Sequence, residues 1–273
     1  MWEASAPSNI ALIKYMGKKG EGNTPTNSSL SWTLDYLRSF VQIQTSTATM
    51  DRWEPHPQFP DTALTEKGKE KFLNHFRAIK KLFSLETHYF VLRSGNNFPA
   101  DCGIASSASS FAALTIGAVK CLESFHATKK LSVAEMAEVS RHGSGSSCRS
   151  LYPGWVEWTE AGVTPITSRI TSLLHMVVMA NEGVKKVSSS EAHQLVKSSL
   201  LMRGRPERAE ERFRLLKNEI VASPANWRNM FELSWNDFWD MHALFETCRP
   251  SFGYMTAESL LIINKARDLW DQT

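Results

Sequence analysis

The sequence predicts an α+β fold, and three observations carry that prediction. Short segments that alternate apolar and polar residues crowd the first part of the chain, a small-residue loop leads into an apolar helical stretch from about Ser109 to Phe125, and from Ser189 onward the periodicity is helical. Strands mixed with helices, followed by a helix-rich half, is the order of an α+β protein rather than of repeated βαβ units.

Taken in order, Ile10 to Tyr15 reads as a strand, the loop from Gly17 to Asn27 carries three glycines, and Ser29 to Thr33 and Phe40 to Gln44 read as two further strands. Phe72, Phe76, Ile79, Leu82 and Phe83 recur at helical spacing between Thr65 and Phe83, and Tyr89 to Leu92 reads as a strand. An apolar helix is predicted from about Ser109 to Phe125. A second helix starts at a capping box formed by Ser132 and Glu135 and ends near His142 and Gly143. Trp155 to Trp158 and the apolar run Leu174 to Ala180 read as strands, the latter buried. Pro206 sits at a first-turn position before a helix from Glu207 to Ile220, and helices follow over Trp227 to Phe245 and Thr256 to Trp270.

Composition narrows the functions available. With 42% hydrophobic residues in 273, the chain can bury a sizeable core and is not a disordered one. Its net charge of +3 is too small and too scattered to make a nucleic-acid surface. The densest basic run, Arg203 to Arg214, is interleaved with Glu207, Glu210 and Glu211, the pattern of a salt-bridged helix face. No run of 18 apolar residues spans a membrane, and the N-terminal residues lack the basic and apolar segments of a secretion signal. The four cysteines, Cys102, Cys121, Cys148 and Cys248, form no C-x-x-C pair, which fits reduced thiols in a cytoplasmic protein and argues against zinc.

Chemistry concentrates in three segments. Pro99 to Ala108 is a small-residue loop at a helix entry, where backbone N–H groups, hydroxyls and the helix dipole together can cradle a phosphate; close packing would need the same small residues. Neither a G-K-S/T ending nor G-x-G-x-x-G is present. In the second loop Ser144, Ser146 and Ser147 stand beside Arg149, whose planar guanidinium suits two-pronged binding of a carboxylate or phosphate. Lys14, Lys18 and Lys19 flank Tyr15; taken singly, such lysines are more often solvated surface. Together the segments point to a ligand with several anionic groups. The nine tryptophans and the histidines His142, His175, His193 and His242 read as core or interface residues without a catalytic role.

Ala6 to Lys18, Asn27 to Ser31, Asn96 to Ala108 and Gly143 to Leu151 resemble, in order and spacing, the mevalonate diphosphate decarboxylases of the GHMP kinase superfamily. Within them Gly143-Ser144-Gly145-Ser146-Ser147-Cys148-Arg149-Ser150 is the specific run. Looser likeness extends over Lys185 to Ser189 and Pro250 to Met255. The resemblance implies the GHMP kinase fold: a ribosomal protein S5 domain 2-like N-terminal half over residues 1–168, a helix-rich α/β-sandwich C-terminal half over 169–273, and an active site in the cleft between them. It further implies an ATP- and Mg2+-dependent decarboxylation in which the 3-hydroxyl of mevalonate 5-diphosphate is phosphorylated and phosphate and carbon dioxide then leave, giving isopentenyl diphosphate.

Carried onto this chain, the resemblance gives Asn97, Gly103, Ser106 and Ser107 to the ATP phosphates. Tyr15, Lys18, Ser144 and Ser146 fall to the substrate diphosphate, Arg149 to the substrate carboxylate, and Lys14 to the vicinity of the transferred phosphoryl group. No direct protein ligand to the metal is assigned. A cytoplasmic homodimer that binds neither nucleic acid nor membrane is the implied setting.

Two departures stand out. Met16 occupies a position where the family usually has tryptophan. An Asp-Ala-Gly-Pro-Asn type loop, whose aspartate contacts the 3-hydroxyl in the family, occurs nowhere in the 273 residues, which end at Thr273 where the strand before that loop would begin. A fragment of a longer enzyme and a loss of the catalytic carboxylate both fit. Two other readings follow: a small-molecule kinase acting on a mevalonate derivative, for which a carboxylate clamp would be wasted, and a catalytically dead homologue that binds nucleotide or metabolite.

Overall fold

In the computed structural model, which describes every residue except 21–22, 100–103, 127, 179–186, 254 and 273, the alternating segments join into one six-stranded sheet. Strands β1 (Trp2–Ile13) and β2 (Ser29–Ser46) are antiparallel, in register from Trp2↔Ile43 to Ile13↔Leu30. The two strands predicted at Ser29 to Thr33 and Phe40 to Gln44 are one. Their apparent break is a bulge: Pro7 pairs with Arg38 but Ser8 with Leu34, so residues 35–37 have no partner on β1. Pro7 has no amide hydrogen to give a ladder and sits where the register shifts.

The other edge of β2 is shared. Residues 39–46 pair with β4 (Tyr89–Asn96), which runs parallel to the short β3 (Arg52–Pro55), and residues 29–32 pair with β5 (Trp155–Thr159), which turns back as the hairpin strand β6 (Gly162–Pro165). Helix α1 (Glu66–Leu82) starts at Thr65, whose hydroxyl accepts the Gly68 N–H at 3.1 Å. Helix α2 (Ser106–Glu123) lies across β1 and β2, close enough that a Cβ on Gly117 would stand 3.4 Å from the Ala4 Cβ. Helix α3 (Val133–Gly143) begins with the predicted capping box, Ser132 and Glu135 each bonding the other's backbone N–H. Beneath α1 and α2 the core is built on Val41, Ile43, Phe76, Phe90, Leu92 and Leu114, each worth roughly 1.5–3 kcal/mol by burial.

The regular structure described beyond residue 168 is helical: α4 (Ser189–Leu195), α5 (Arg205–Val221), α6 (Trp227–Thr247) and α7 (Ala257–Asp271), with two short 3-10 turns after α4. Helices α5 and α6 close a second core against the lower end of the sheet, where Phe213, Leu216, Ile220 and Met230 meet Ile13, Leu30, Trp32 and Trp155. Met16 joins Val196, Met241, Leu244 and Phe245 in a third cluster, so its apolar side chain holds the two halves together.

One predicted element is corrected. Residues 174–178 form no strand and are exposed, Leu174 to 97%, while residues 179 and 180 lie outside the described ones. An apolar run becomes a strand only where a neighbouring edge can take its backbone hydrogen bonds, and no described strand pairs with this one. Cys121, Cys148 and Cys248 are free and buried, as expected of reduced thiols; Cys102 is outside the described residues.

Candidate active site

Where β1 ends, the backbone of Lys14 is held from three sides. Its N–H donates to Asp237 Oδ2 at 2.9 Å, and its C=O accepts Arg205 Nη2 at 3.1 Å and Asn27 Nδ2 at 3.2 Å. Asp237 and Asp240 stand on α6, one turn apart, facing Arg205, Arg208 and Arg212 on α5. Arg205 is fully buried and bonds Asp237 at 2.6 Å and Asp240 at 3.1 Å. Burial by itself would raise the Asp240 pKa; hydrogen bonds from Arg208 and Arg212 and the charge of Arg205 outweigh it and bring the carboxyl down to about 2. Lys14 lines a cavity of about 420 Å³ between β1, α6 and α7, with Asp237, Met241 and His242 on its wall.

The next residues build a second wall. The Tyr15 ring stacks on His193 of α4 at 4.8 Å and meets Trp158 edge-on at 4.9 Å, and its hydroxyl lies where a Cβ on Gly145 would be, 2.2 Å away. Gly145 is therefore a glycine because of Tyr15. Gly17, at φ +96°, donates its N–H to His193 Nδ1 at 3.0 Å. Lys18 donates to Asn23 Oδ1 at 2.6 Å, and Asn23 in turn bonds the Arg141 and His142 carbonyls at the end of α3. Burial and the charge of Lys71 hold the Lys18 ammonium below the usual lysine value.

Ala105 precedes α2 in the left-handed region, at φ 51°, a conformation that costs a residue with a Cβ about 1–2 kcal/mol, and among the described residues no side chain caps the first turn. Ser106 and Ser107 open that turn, and Ser107 Oγ is 3.4 Å from Ser144 Oγ, so the two small-residue loops meet. Ser146 is half-buried beside them, whereas Ser147 is buried and ties α3 down through Ser140 and the Ser144 carbonyl. Asn97 is placed otherwise: its amide accepts the Arg38 N–H at 2.7 Å and donates to the Tyr36 carbonyl at 2.7 Å, fastening the β2 bulge. Gly103 lies outside the described residues.

Arg149 follows on a 3-10 turn, Gly145–Leu151, and is 2% exposed. Its Nε donates to Ser31 Oγ at 3.0 Å, Nη1 to Ser29 Oγ at 2.6 Å and Nη2 to Asn9 Oδ1 at 3.3 Å, with the guanidinium over the Trp158 ring. Among the described residues no carboxylate pairs with it. Burial lowers its pKa, yet a guanidinium stays charged at neutral pH. Of five N–H donors three are engaged, which leaves one on each terminal nitrogen, the pair that grips a carboxylate from two sides.

The structure thus gathers Lys14, Tyr15, Lys18, Ser106, Ser107, Ser144, Ser146 and Arg149 around the junction of the two halves. Sequence reasoning missed Asn9, Ser29 and Ser31, which hold Arg149. A signal was there: Ser29, Ser31 and Thr33 alternate with Leu30 and Trp32, placing three hydroxyls on one face of a strand. His193 is buried, as the sequence suggests, and stacks on Tyr15.

Comparison with known proteins gives the family. Residues 6–168 match the family described as diphosphomevalonate decarboxylase-like N-terminal domain. The diphosphomevalonate decarboxylase of Saccharomyces cerevisiae is 31% identical over 95% of this chain and 69% of its own length. A crystal structure of a mevalonate diphosphate decarboxylase from Legionella pneumophila is 42% identical, with a TM-score of 0.92 over 99% of this chain and 86% of that one. A further structure of the same fold, 24% identical with a TM-score of 0.86 over 99% of this chain and 83% of that one, holds MVAPP, AMPPCP and magnesium.

Proposed function

The chain belongs to the diphosphomevalonate decarboxylase family, and from that premise we propose that it binds mevalonate 5-diphosphate and ATP in the cleft between residues 1–168 and 169–273 and carries out the ATP-dependent decarboxylation to isopentenyl diphosphate. The observation that carries this reading is Arg149, a buried cation held by three neutral oxygens with two N–H groups left over. Leaving a charge buried and uncompensated is costly, and the anion that compensates it here is the substrate carboxylate. A plain kinase has no use for such a group.

The residues present fit ATP. The first turn of α2, with Ser106 and Ser107, offers N–H and hydroxyl donors at a positive helix end, and Lys14 on the wall of the neighbouring cavity supplies an ammonium. Among the described residues no cluster of three histidine, cysteine or acidic side chains could hold a metal. Mg2+ would then be carried mainly by the phosphates, as is usual for a cation that keeps most of its water. When bound, ATP supplies the phosphoryl group that turns the 3-hydroxyl into a leaving group, and Mg2+ neutralises phosphate charge.

The chain's own contribution is positioning and charge. Tyr15, Lys18, Ser144 and Ser146 hold the diphosphate end, Arg149 fixes the carboxylate, and the held backbone of Lys14 keeps its side chain beside the transferred group. As phosphate departs from the tertiary carbon, the electron pair of the bond to the carboxylate becomes the double bond and carbon dioxide leaves. Arg149 keeps that bond aligned for the elimination. By the same reading the native enzyme works in the cytoplasm as a homodimer.

The test is the stoichiometry of the native full-length protein. Equal amounts of ADP, phosphate and carbon dioxide from mevalonate 5-diphosphate are expected. ADP without carbon dioxide would make it a kinase, and binding with neither product would make it a catalytically silent homologue.

A further inference from the structure

We propose that His193 is a further anion-binding residue of this site, donating its Nε2–H to a phosphate oxygen of the substrate diphosphate while its other faces fix Tyr15 and Gly17. The inference rests on the reading above that Tyr15 and Lys18 hold that diphosphate.

Three contacts determine what the imidazole can do. Its Nδ1 accepts the Gly17 N–H at 3.0 Å and so carries no proton of its own. A neutral imidazole has one proton, which must then be on Nε2. Burial, with Lys18 and Lys14 adding repulsion, takes the His193 pKa down to about 3, and the ring is neutral at pH 7. No described residue accepts from Nε2. The ring is 7% exposed and stacks nearly parallel on Tyr15 at 15°, inside the field of both lysines. A donor of this kind adds a hydrogen bond to an anion without adding a third positive charge that the empty site would have to tolerate.

A residue that only filled the core would need neither a fixed tautomer nor a place between two lysines. His193 sits on α4, in the second half, while Tyr15, Gly17 and Lys18 belong to the first. It therefore ties α4 directly to the segment that holds the diphosphate end of the substrate.

Two variants separate the roles. His193→Phe keeps the stacked ring but loses both the acceptor and the donor; His193→Asn keeps an acceptor for Gly17 but loses the Nε2–H. Loss of one hydrogen bond from a neutral donor to an anionic oxygen should weaken mevalonate 5-diphosphate at least about tenfold in both, measured by titration calorimetry, with ATP affinity unchanged. The second readout needs no variant. In the wild-type protein with 15N-labelled histidine, long-range proton–nitrogen spectra at pH 7 should show a protonated Nε2 and a bare Nδ1 for His193, and adding inorganic pyrophosphate should shift Nε2. A proton on Nδ1, or unchanged substrate affinity in both variants, overturns the inference. If the wild-type protein binds neither mevalonate 5-diphosphate nor pyrophosphate, the functional reading falls with it; if it binds and the variants bind equally, only the role of His193 falls.

Discussion

Arg149 and Arg205 are both buried arginines beside the end of β1, and they live in opposite electrostatic company. Arg205 faces two carboxylates, Asp237 and Asp240, shared with Arg208 and Arg212; Arg149 faces two serines and an asparagine. A guanidinium neutralised from within the chain closes a structure, here the joint between α5, α6 and the Lys14 backbone. One solvated only by neutral oxygens is held in shape but not in charge, and it favours an anionic ligand. Burial alone does not separate the two; the partners do.

The contrast breaks most sharply at Arg149. Arg149→Met should weaken mevalonate 5-diphosphate and slow carbon dioxide release by about 10²–10³-fold, as for loss of a buried charge pair. The same variant should cost less stability than loss of an ion pair, about 1–3 kcal/mol, because it leaves Ser29, Ser31 and Asn9 without their donor but strands no opposite charge among the described residues. Arg205→Met should do the reverse. It strands Asp237 and Asp240 among fewer cations and should cost about 3–5 kcal/mol of stability in urea titration.

Ser31→Asp tests the same idea by making the two sites alike. A carboxylate beside Arg149 would give it the internal counterion that Arg205 already has, and substrate affinity should drop about tenfold while the melting temperature holds or rises. Tighter substrate binding in this variant would remove the ground for the comparison.

The smallest effects are those of pH. Asp240 has a folded pKa of about 2 against an ordinary value of 3.8, so its stabilising contribution is complete above pH 4 and is lost as pH falls toward 2. Histidine adds an earlier slope. His75, His193 and His242 are pushed by burial to about 4, 3 and 4, and below pH 6.5 the unfolded chain binds protons that the folded one refuses. Stability in urea should therefore decline from pH 7 to pH 4 by histidine and below pH 4 by Asp240. Arg208→Met, which removes the leading hydrogen bond to Asp240, should flatten only the lower part, and a pH-independent midpoint would contradict both assignments.

Local chemistry made much of this readable in the sequence. The capping box at Ser132 and Glu135, the apolar spacing of α1 and Pro206 at the start of α5 are signals that act within a turn or two, and each stands where it was expected. What failed was non-local. The bulge that makes β2 one strand depends on its pairing with Pro7, and the run at Leu174 had the composition of a strand but no described edge to join.

The site divides in the same way. Arg149 and the serines of the second loop announce themselves by residue type, and Tyr15 enters only through the resemblance. The partners that give them meaning lie far off in sequence: Ser29 is 120 residues from Arg149, and His193 is 176 from Gly17. Asn97 shows the converse. The resemblance assigns it to the ATP phosphates, and within the chain its amide fastens the β2 bulge, a contact that no local pattern announces.

The most direct measurement is the affinity of wild-type protein and Arg149→Met for two ligands, mevalonate 5-diphosphate and its analogue with the carboxylate reduced to an alcohol. The wild type should prefer the acid by about a hundredfold, the worth of a buried charge-assisted pair, and the variant should bind both equally weakly. A wild type that binds acid and alcohol alike, or a variant that keeps the preference, would show that Arg149 is not the receptor for the carboxylate.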